Sequence, residues 1–113
     1  MTQRLLQWCK DKWRGNLFGA ARSPKWSSVR KDFLILHDTC AVCGKKGSLL
    51  KPLNCHHCIP FHIDKLFELN PQNLITLCRD DHFIFGHLKS WKSWNVDVRE
   101  DAKLILEKIK NRP

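Results

Sequence analysis

The chain has 113 residues, 27% of them charged, with a formal net charge of +9 and a sequence pI near 9.5. That length gives one domain, 1–113, whose core alone is marginal and gains from a metal staple, and the positive excess points to a polyanionic partner, nucleic acid first. No stretch is long and apolar enough to span a membrane and the first fifteen residues lack a signal-peptide run, so a cytoplasmic, reducing setting is expected, in which cysteines among the six serve metal binding and not a disulfide frame.

Residues 2–14 read as a first helix, with Thr2 as cap, Leu5, Leu6, Cys9 and Trp13 near one face, and Gly15 at its end. Cys9 stands apart from every ligand pair and reads as a small buried hydrophobe. Ser23-Pro24 opens a second helix, where Trp26, Val29, Phe33 and Leu36 form an apolar stripe. Arg22, Lys25, Arg30 and Lys31 fall off that stripe, as a phosphate-lining surface or a solvated one. The helix should stop around His37 to Thr39, with His37 a helix-end histidine. Leu49–Lys51 and Leu53–Ile59 read as two short strands of a hairpin, bent at Pro52. Phe61–Leu69 is a loop with one helical turn, and Asn70-Pro71 signals a turn that returns the chain to the hairpin. Another helix starts near Arg79. After it, Lys89 and Lys92 alternate with Trp91 and Trp94, either to follow a phosphate backbone or with the indoles capping the core. Asp97 and Glu100 resemble a capping box, and Val98, Ala102, Ile105 and Ile109 define the last helix.

The chemistry is concentrated between Leu53 and His87, which hold five of the six histidines and three of the six cysteines. His56 and His57 are adjacent in strand-like sequence, Asn73 follows sixteen residues after His57, and His82 nine after Asn73. Upstream, Cys40-Ala-Val-Cys43-Gly44 is a knuckle that sets two thiolates on one metal, and Cys78 can join them. Two ligand schemes compete. Cys40, Cys43, Cys55 and Cys58 could form a four-cysteine zinc ribbon, but that leaves Asn73, Cys78 and His82 without a role.

The order Cys40, Cys43, Gly44, His56, His57, Asn73, Leu74, Cys78, Asp81, His82 resembles the pattern of the HNH endonucleases, the zinc-supported ββα-metal nucleases. The resemblance covers about residues 22–96, and the tail FGHLKSWKSWN looks like a phage-type subgroup. It implies an α+β fold, with a ββα-metal core and a zinc knuckle flanked by N- and C-terminal helices. It departs at Asp81, where the family usually has its fourth zinc cysteine; a carboxylate is an acceptable zinc donor, which gives Cys40, Cys43, Cys78 and Asp81 as the structural zinc set.

By the same resemblance His57 is the general base, Asn73 orients it and pins the loop between strand and helix, and His56 and His82 hold the catalytic cation (Mn2+, Ni2+, Co2+ or Mg2+). His87 is a third ligand if the chain bends, because i, i+4 is the natural helical spacing and His87 lies five beyond His82. In a variant arrangement His82 completes the zinc site and His87 takes its place. The implied activity is metal-dependent hydrolysis of double-stranded DNA with low sequence specificity, by nicking or double-strand cleavage. Arg22, Lys25, Arg30, Lys31, Lys89 and Lys92 are the candidate DNA contacts, and phage packaging or defence proteins are candidate partners by resemblance. A non-catalytic zinc-ribbon DNA-binding or adaptor protein is the alternative from another class. The sequence is silent on oligomeric state.

Overall fold

The computed structural model describes residues 22–113, and the helix expected over residues 2–14, with Cys9, lies outside them. Helix α1 (Trp26–Leu36) starts two residues after Pro24, because Ser23 closes a turn first. The Ser23 hydroxyl accepts from the Lys25 N–H at 3.2 Å and its carbonyl from the Trp26 N–H at 3.0 Å. Of the predicted stripe Phe33 is buried and Trp26 and Val29 are half-buried, but Leu36 is 78% exposed. Leu36 is the last helical residue: the His37 N–H closes the helix onto the Phe33 carbonyl and the His37 ring lies on Phe33, ring centroids 4.3 Å apart.

After α1 the knuckle is a tight backbone turn. Cys40 N–H donates to the Lys45 carbonyl and Gly44 N–H to the Cys40 carbonyl, each at 2.9 Å, with Gly44 at φ +76°. That left-handed conformation is one glycine takes without steric cost.

The sheet has two antiparallel strands, β1 (Leu53–His57) and β2 (Leu74–Cys78), in a register that sets Leu53 opposite Cys78 and His57 opposite Leu74. The strand expected at Leu49–Lys51 does not form. Ser48 and Lys51 close that segment into a turn, and Leu49 and Leu50 stand fully exposed at its tip. The partner of β1 is therefore β2, reached across a loop with 3-10 turns at Lys65–Phe67 and Pro71–Asn73, whose first N–H groups are capped by Asp64 and Asn70. The predicted return at Asn70-Pro71 is present.

From Cys78 the chain turns directly into a short helix, α2 (Arg79–Asp81), which widens into a π-helical turn (His82–Gly86). A loop then leads to α3 (Val98–Lys110). The expected capping box at Asp97 makes no side-chain cap; Asn95, buried, takes that role. It accepts from the Asp97 N–H at 2.9 Å, donates to Asp101 at 2.8 Å, and its own N–H reaches the Gly86 carbonyl. The core gathers Cys40 and Val42 of the knuckle, Ile75 and Leu77 of β2, and Val98 and Ala102 of α3, with Ile105 packed against it. The last helix thus packs as its stripe predicts, clamping the knuckle and β2 together. Among the described residues no helix is long and apolar enough to cross a membrane.

Candidate active site

The short passage from β2 into helix makes the first cluster. Cys78 ends the strand and Asp81 lies three residues on, so both face the knuckle from one helical turn. Their donor atoms and those of Cys40 and Cys43 all lie within 4.8 Å of one another. As thiols, Cys40 and Cys78 donate to Asp81 Oδ2 at 3.3 and 3.1 Å. Burial raises the pKa of Cys43 and pushes that of Cys78 up to about 12. Neutralising a buried thiolate takes a cation, and three sulfurs with one carboxylate are a donor set that suits zinc. Cys55 and Cys58 join no ligand group among the described residues; burial pushes the Cys55 thiol up to about 11. The four-cysteine ribbon is not formed.

The second cluster is built by strand alternation and by the π-turn. Successive side chains of a strand point to opposite faces, so His56 and His57, though adjacent, serve different sides of β1. His56 faces the helical segment and meets His82 and His87, with ring centroids 4.9 and 5.0 Å away; the ligand atoms of all three lie within 4.8 Å of one another. An α-helix would carry a residue five beyond His82 off its face. Here the His87 N–H instead bonds the His82 carbonyl at 3.1 Å, the i to i+5 closure of a π-turn, which returns His87 to the same side. The variant that moved His82 to the zinc cluster is thereby corrected.

Three observations fit this cluster to a divalent cation. His56 Nε2 is buried with no hydrogen-bond partner, a costly state that a metal bond would resolve. Burial, then the neighbouring rings, lowers the His56 pKa to about 3, and burial followed by His87 lowers that of His82 to about 4, so both rings are neutral and carry lone pairs at neutral pH. Outer partners also hold the rings. His87 Nδ1–H donates to the Ser93 carbonyl at 2.8 Å, which leaves Nε2 as the donor atom, and the Asn54 Nδ2–H donates to His82 Nδ1 at 3.3 Å, fixing the orientation of that ring. Gly86 is the floor: a Cβ there would lie 3.1 Å from His56 Cε1 and 3.2 Å from His82 Cδ2.

On the other face of β1, His57 is buried against Trp26 of α1, ring centroids 4.4 Å apart. Its Nε2–H donates to the Glu68 carbonyl at 2.9 Å. A carbonyl only accepts, so the neutral ring carries its proton on Nε2 and its lone pair on Nδ1. Burial lowers its pKa. Asn73 does not direct its side-chain hydrogen bonds to His57. Its amide accepts from Ile59 N–H at 2.7 Å and donates to the Ile59 and Phe67 carbonyls at 3.1 Å each. It thus pins both ends of the loop that delivers the Glu68 carbonyl, and its effect on His57 is indirect.

The basic residues divide. Arg22 is engaged by Glu68 at 3.6 Å and lies 4.6 Å from the Phe61 ring centroid, and Arg30 is half-buried. Lys25 and Lys31 are exposed on or beside α1, and Lys89 and Lys92 on the loop after the π-turn. Sequence reasoning missed Trp26, Asn54, Glu68, Ser93 and Arg99, which hold the site from outside. Arg99 of α3 donates to the Gln72 and Leu74 carbonyls, bracketing Asn73. Only Asn54, two residues before His56 and hence on its face, was open to inference from strand spacing.

Residues 40–84 match the family model described as HNH endonuclease. Over that segment, which is less than half of the chain, the protein is similar to an HNH domain. No curated protein and no solved structure gives a significant match. The matched segment runs from the first knuckle cysteine to the π-turn and so contains both clusters except His87. An HNH domain implies nuclease chemistry on nucleic acid and the use of a metal ion.

Proposed function

We propose that this protein is a metal-dependent HNH endonuclease that hydrolyses DNA phosphodiester bonds. The observation that carries the reading is the pairing of His57, its lone pair directed to Nδ1, with the three-histidine group on the reverse face of the same strand. His57 Nδ1 takes the proton of an attacking water as that oxygen bonds to phosphorus and one phosphoester bond breaks. Its depressed pKa keeps the ring neutral, and therefore able to accept, at neutral pH. The Glu68 carbonyl fixes the tautomer and stabilises the imidazolium that forms, while Trp26 holds the ring plane. His56, His82 and His87 would hold the divalent cation, which when bound polarises the scissile phosphate and offsets charge on the leaving oxygen. Cys40, Cys43, Cys78 and Asp81 would hold zinc as a structural staple with no part in the chemistry. The exposed lysines are phosphate contacts, and the expected mode is recognition of backbone and shape with low sequence specificity.

The test is conversion of supercoiled plasmid to nicked and linear forms by purified protein with manganese, nickel, cobalt or magnesium. Metal-dependent conversion that is lost in His57→Ala supports the proposal; no conversion under any of these metals refutes it.

A further inference from the structure

The loop after the π-turn holds an aromatic ring that neither the metal groups nor the base account for. Trp91 is 62% exposed, yet its indole is fixed by three rings. It lies 4.9 Å from Phe83, 4.9 Å from His87 and 5.5 Å from His82, edge-on to the last. Its neighbour Trp94 is half-buried, so of the two indoles one joins the packed body and the other is left facing solvent. The backbone is specialised to present it. Leu88 and Lys89 both take left-handed conformations, at φ 53° and 63°, which non-glycine residues rarely adopt and which cluster at functional sites. The turn is held by the Lys89 N–H to the Phe83 carbonyl at 2.9 Å and the Ser90 N–H to the His87 carbonyl at 3.0 Å. Lys89 and Lys92, two residues before Trp91 and one after it, are both exposed. An exposed indole packed on its neighbours, in a stretch with two exposed lysines and beside two histidines of the proposed cation site, has the parts of a single-strand platform: a base stacks on the ring and the adjoining phosphates meet the lysines.

We infer that Trp91 stacks on an unpaired nucleobase next to the scissile phosphate, so that the favoured substrate has single-stranded character at the cut: a gap, a flap, a junction or a single strand. A base inside an intact duplex has both faces covered by its neighbours and offers no free face to the indole. The inference rests on the nuclease reading above.

The experiment is fluorescence anisotropy with fluorescein-labelled oligothymidine and with a duplex of equal length, using zinc-loaded protein at fixed salt with Ni2+ added and hydrolysis blocked by phosphorothioate linkages. Trp91→Phe keeps a π-face, whereas Trp91→Leu keeps apolar cover over Phe83 but cannot stack. Oligothymidine affinity should fall about tenfold in Trp91→Leu, by the order expected for one lost stacked base, and stay within about threefold in Trp91→Phe, with duplex affinity little changed in either. Gapped duplex should be cut in preference to intact duplex by wild type, and that preference should fall in Trp91→Leu. Equal behaviour of the two variants, or equal losses on both probes, overturns the platform and makes Trp91 a cover for the histidines. Ni2+ affinity by calorimetry on the same samples should be unchanged; a loss in Trp91→Leu that matches its loss of oligothymidine binding also overturns it. If wild type neither binds nor cuts any nucleic acid, the nuclease reading itself has failed, whatever the variants do.

Discussion

Gly86→Ala adds one methyl group at the floor of the histidine group and tests whether that geometry is what binds metal. The new Cβ would sit 3.1 Å from His56 Cε1, 3.2 Å from His56 Nδ1 and 3.2 Å from His82 Cδ2, so the rings must yield by a few tenths of an ångström. Overpacking a filled site costs about 1–3 kcal/mol, against which alanine regains ~1 kcal/mol of helical preference. The net effect on folding is therefore small, from near zero to a loss of about 2 kcal/mol. Metal affinity should suffer more, because two of three ligands are displaced together and their nitrogens have no slack. Disturbing the supports of a metal site typically costs 10–100-fold in affinity, or roughly 1.4–2.7 kcal/mol. Calorimetric titration of Mn2+ or Ni2+ into zinc-loaded protein reads this directly, with thermal melts of the metal-free forms as control. Cooperative melting with wild-type affinity in Gly86→Ala would refute the reasoning: the methyl would then be absorbed without moving the ligands, or the ligands would be elsewhere.

Four further outcomes are expected. His57→Ala should cut the hydrolysis rate by about 10²–10⁴-fold while zinc content and DNA affinity hold, since a general base acts only at the chemical step; single-turnover cleavage beside binding assays checks it, and near-normal cleavage removes His57 from that role. Zinc quantification should show loss and destabilisation in Cys43→Ser and Cys78→Ser but normal content in Cys55→Ser and Cys58→Ser; the reverse pattern would restore the ribbon. Affinity for duplex DNA should fall steeply with salt as bound counterions are released, and a flat titration would count against a nucleic-acid substrate. Acid should destabilise the fold: His56 and His82 have folded pKa values of about 3 and 4 against 6.5 unfolded, so the unfolded chain binds more protons and stability falls as pH drops through that window. Melts of metal-free protein from pH 7 to 4 should show this fall, and a flat profile would mean the two rings are not buried neutral.

How far the site could be read ahead depended on the kind of interaction. Ligand chemistry is carried by residue type and short spacing, so the knuckle, Cys78, Asp81 and the histidine pair were all visible in the chain. The partner of β1 was not. Leu49–Lys51 has apolar residues at the right distance for a hairpin, and only the reciprocal Ser48 and Lys51 bonds, with Pro52 lacking an N–H, turn it aside. Leu36 fits the helical stripe, but periodicity does not reveal that the helix stops there. His87 was placed by a π-turn, a local widening for which sequence spacing gives no sign in advance. Glu68, Ser93 and Arg99 act largely through backbone carbonyls, as donors to them or as their source, and a carbonyl belongs to every residue, so no pattern distinguishes them.

The opposed orientations of His56 and His57 make the hairpin a device with a handedness. Sliding β1 by a single residue would exchange the two, sending the proton acceptor among the ligands and a ligand against Trp26, while leaving sequence and secondary structure unaltered. Cys78 is the last residue of the ladder, opposite Leu53, and it is also tied into the knuckle, where the Ala41 N–H meets the Thr76 carbonyl at 2.8 Å. The four-donor cluster therefore acts as an indexing pin. By fixing one end of β2 it sets which of two identical side chains faces the histidine group and which faces Trp26, and so, in the proposed assignment, which would serve as ligand and which as base.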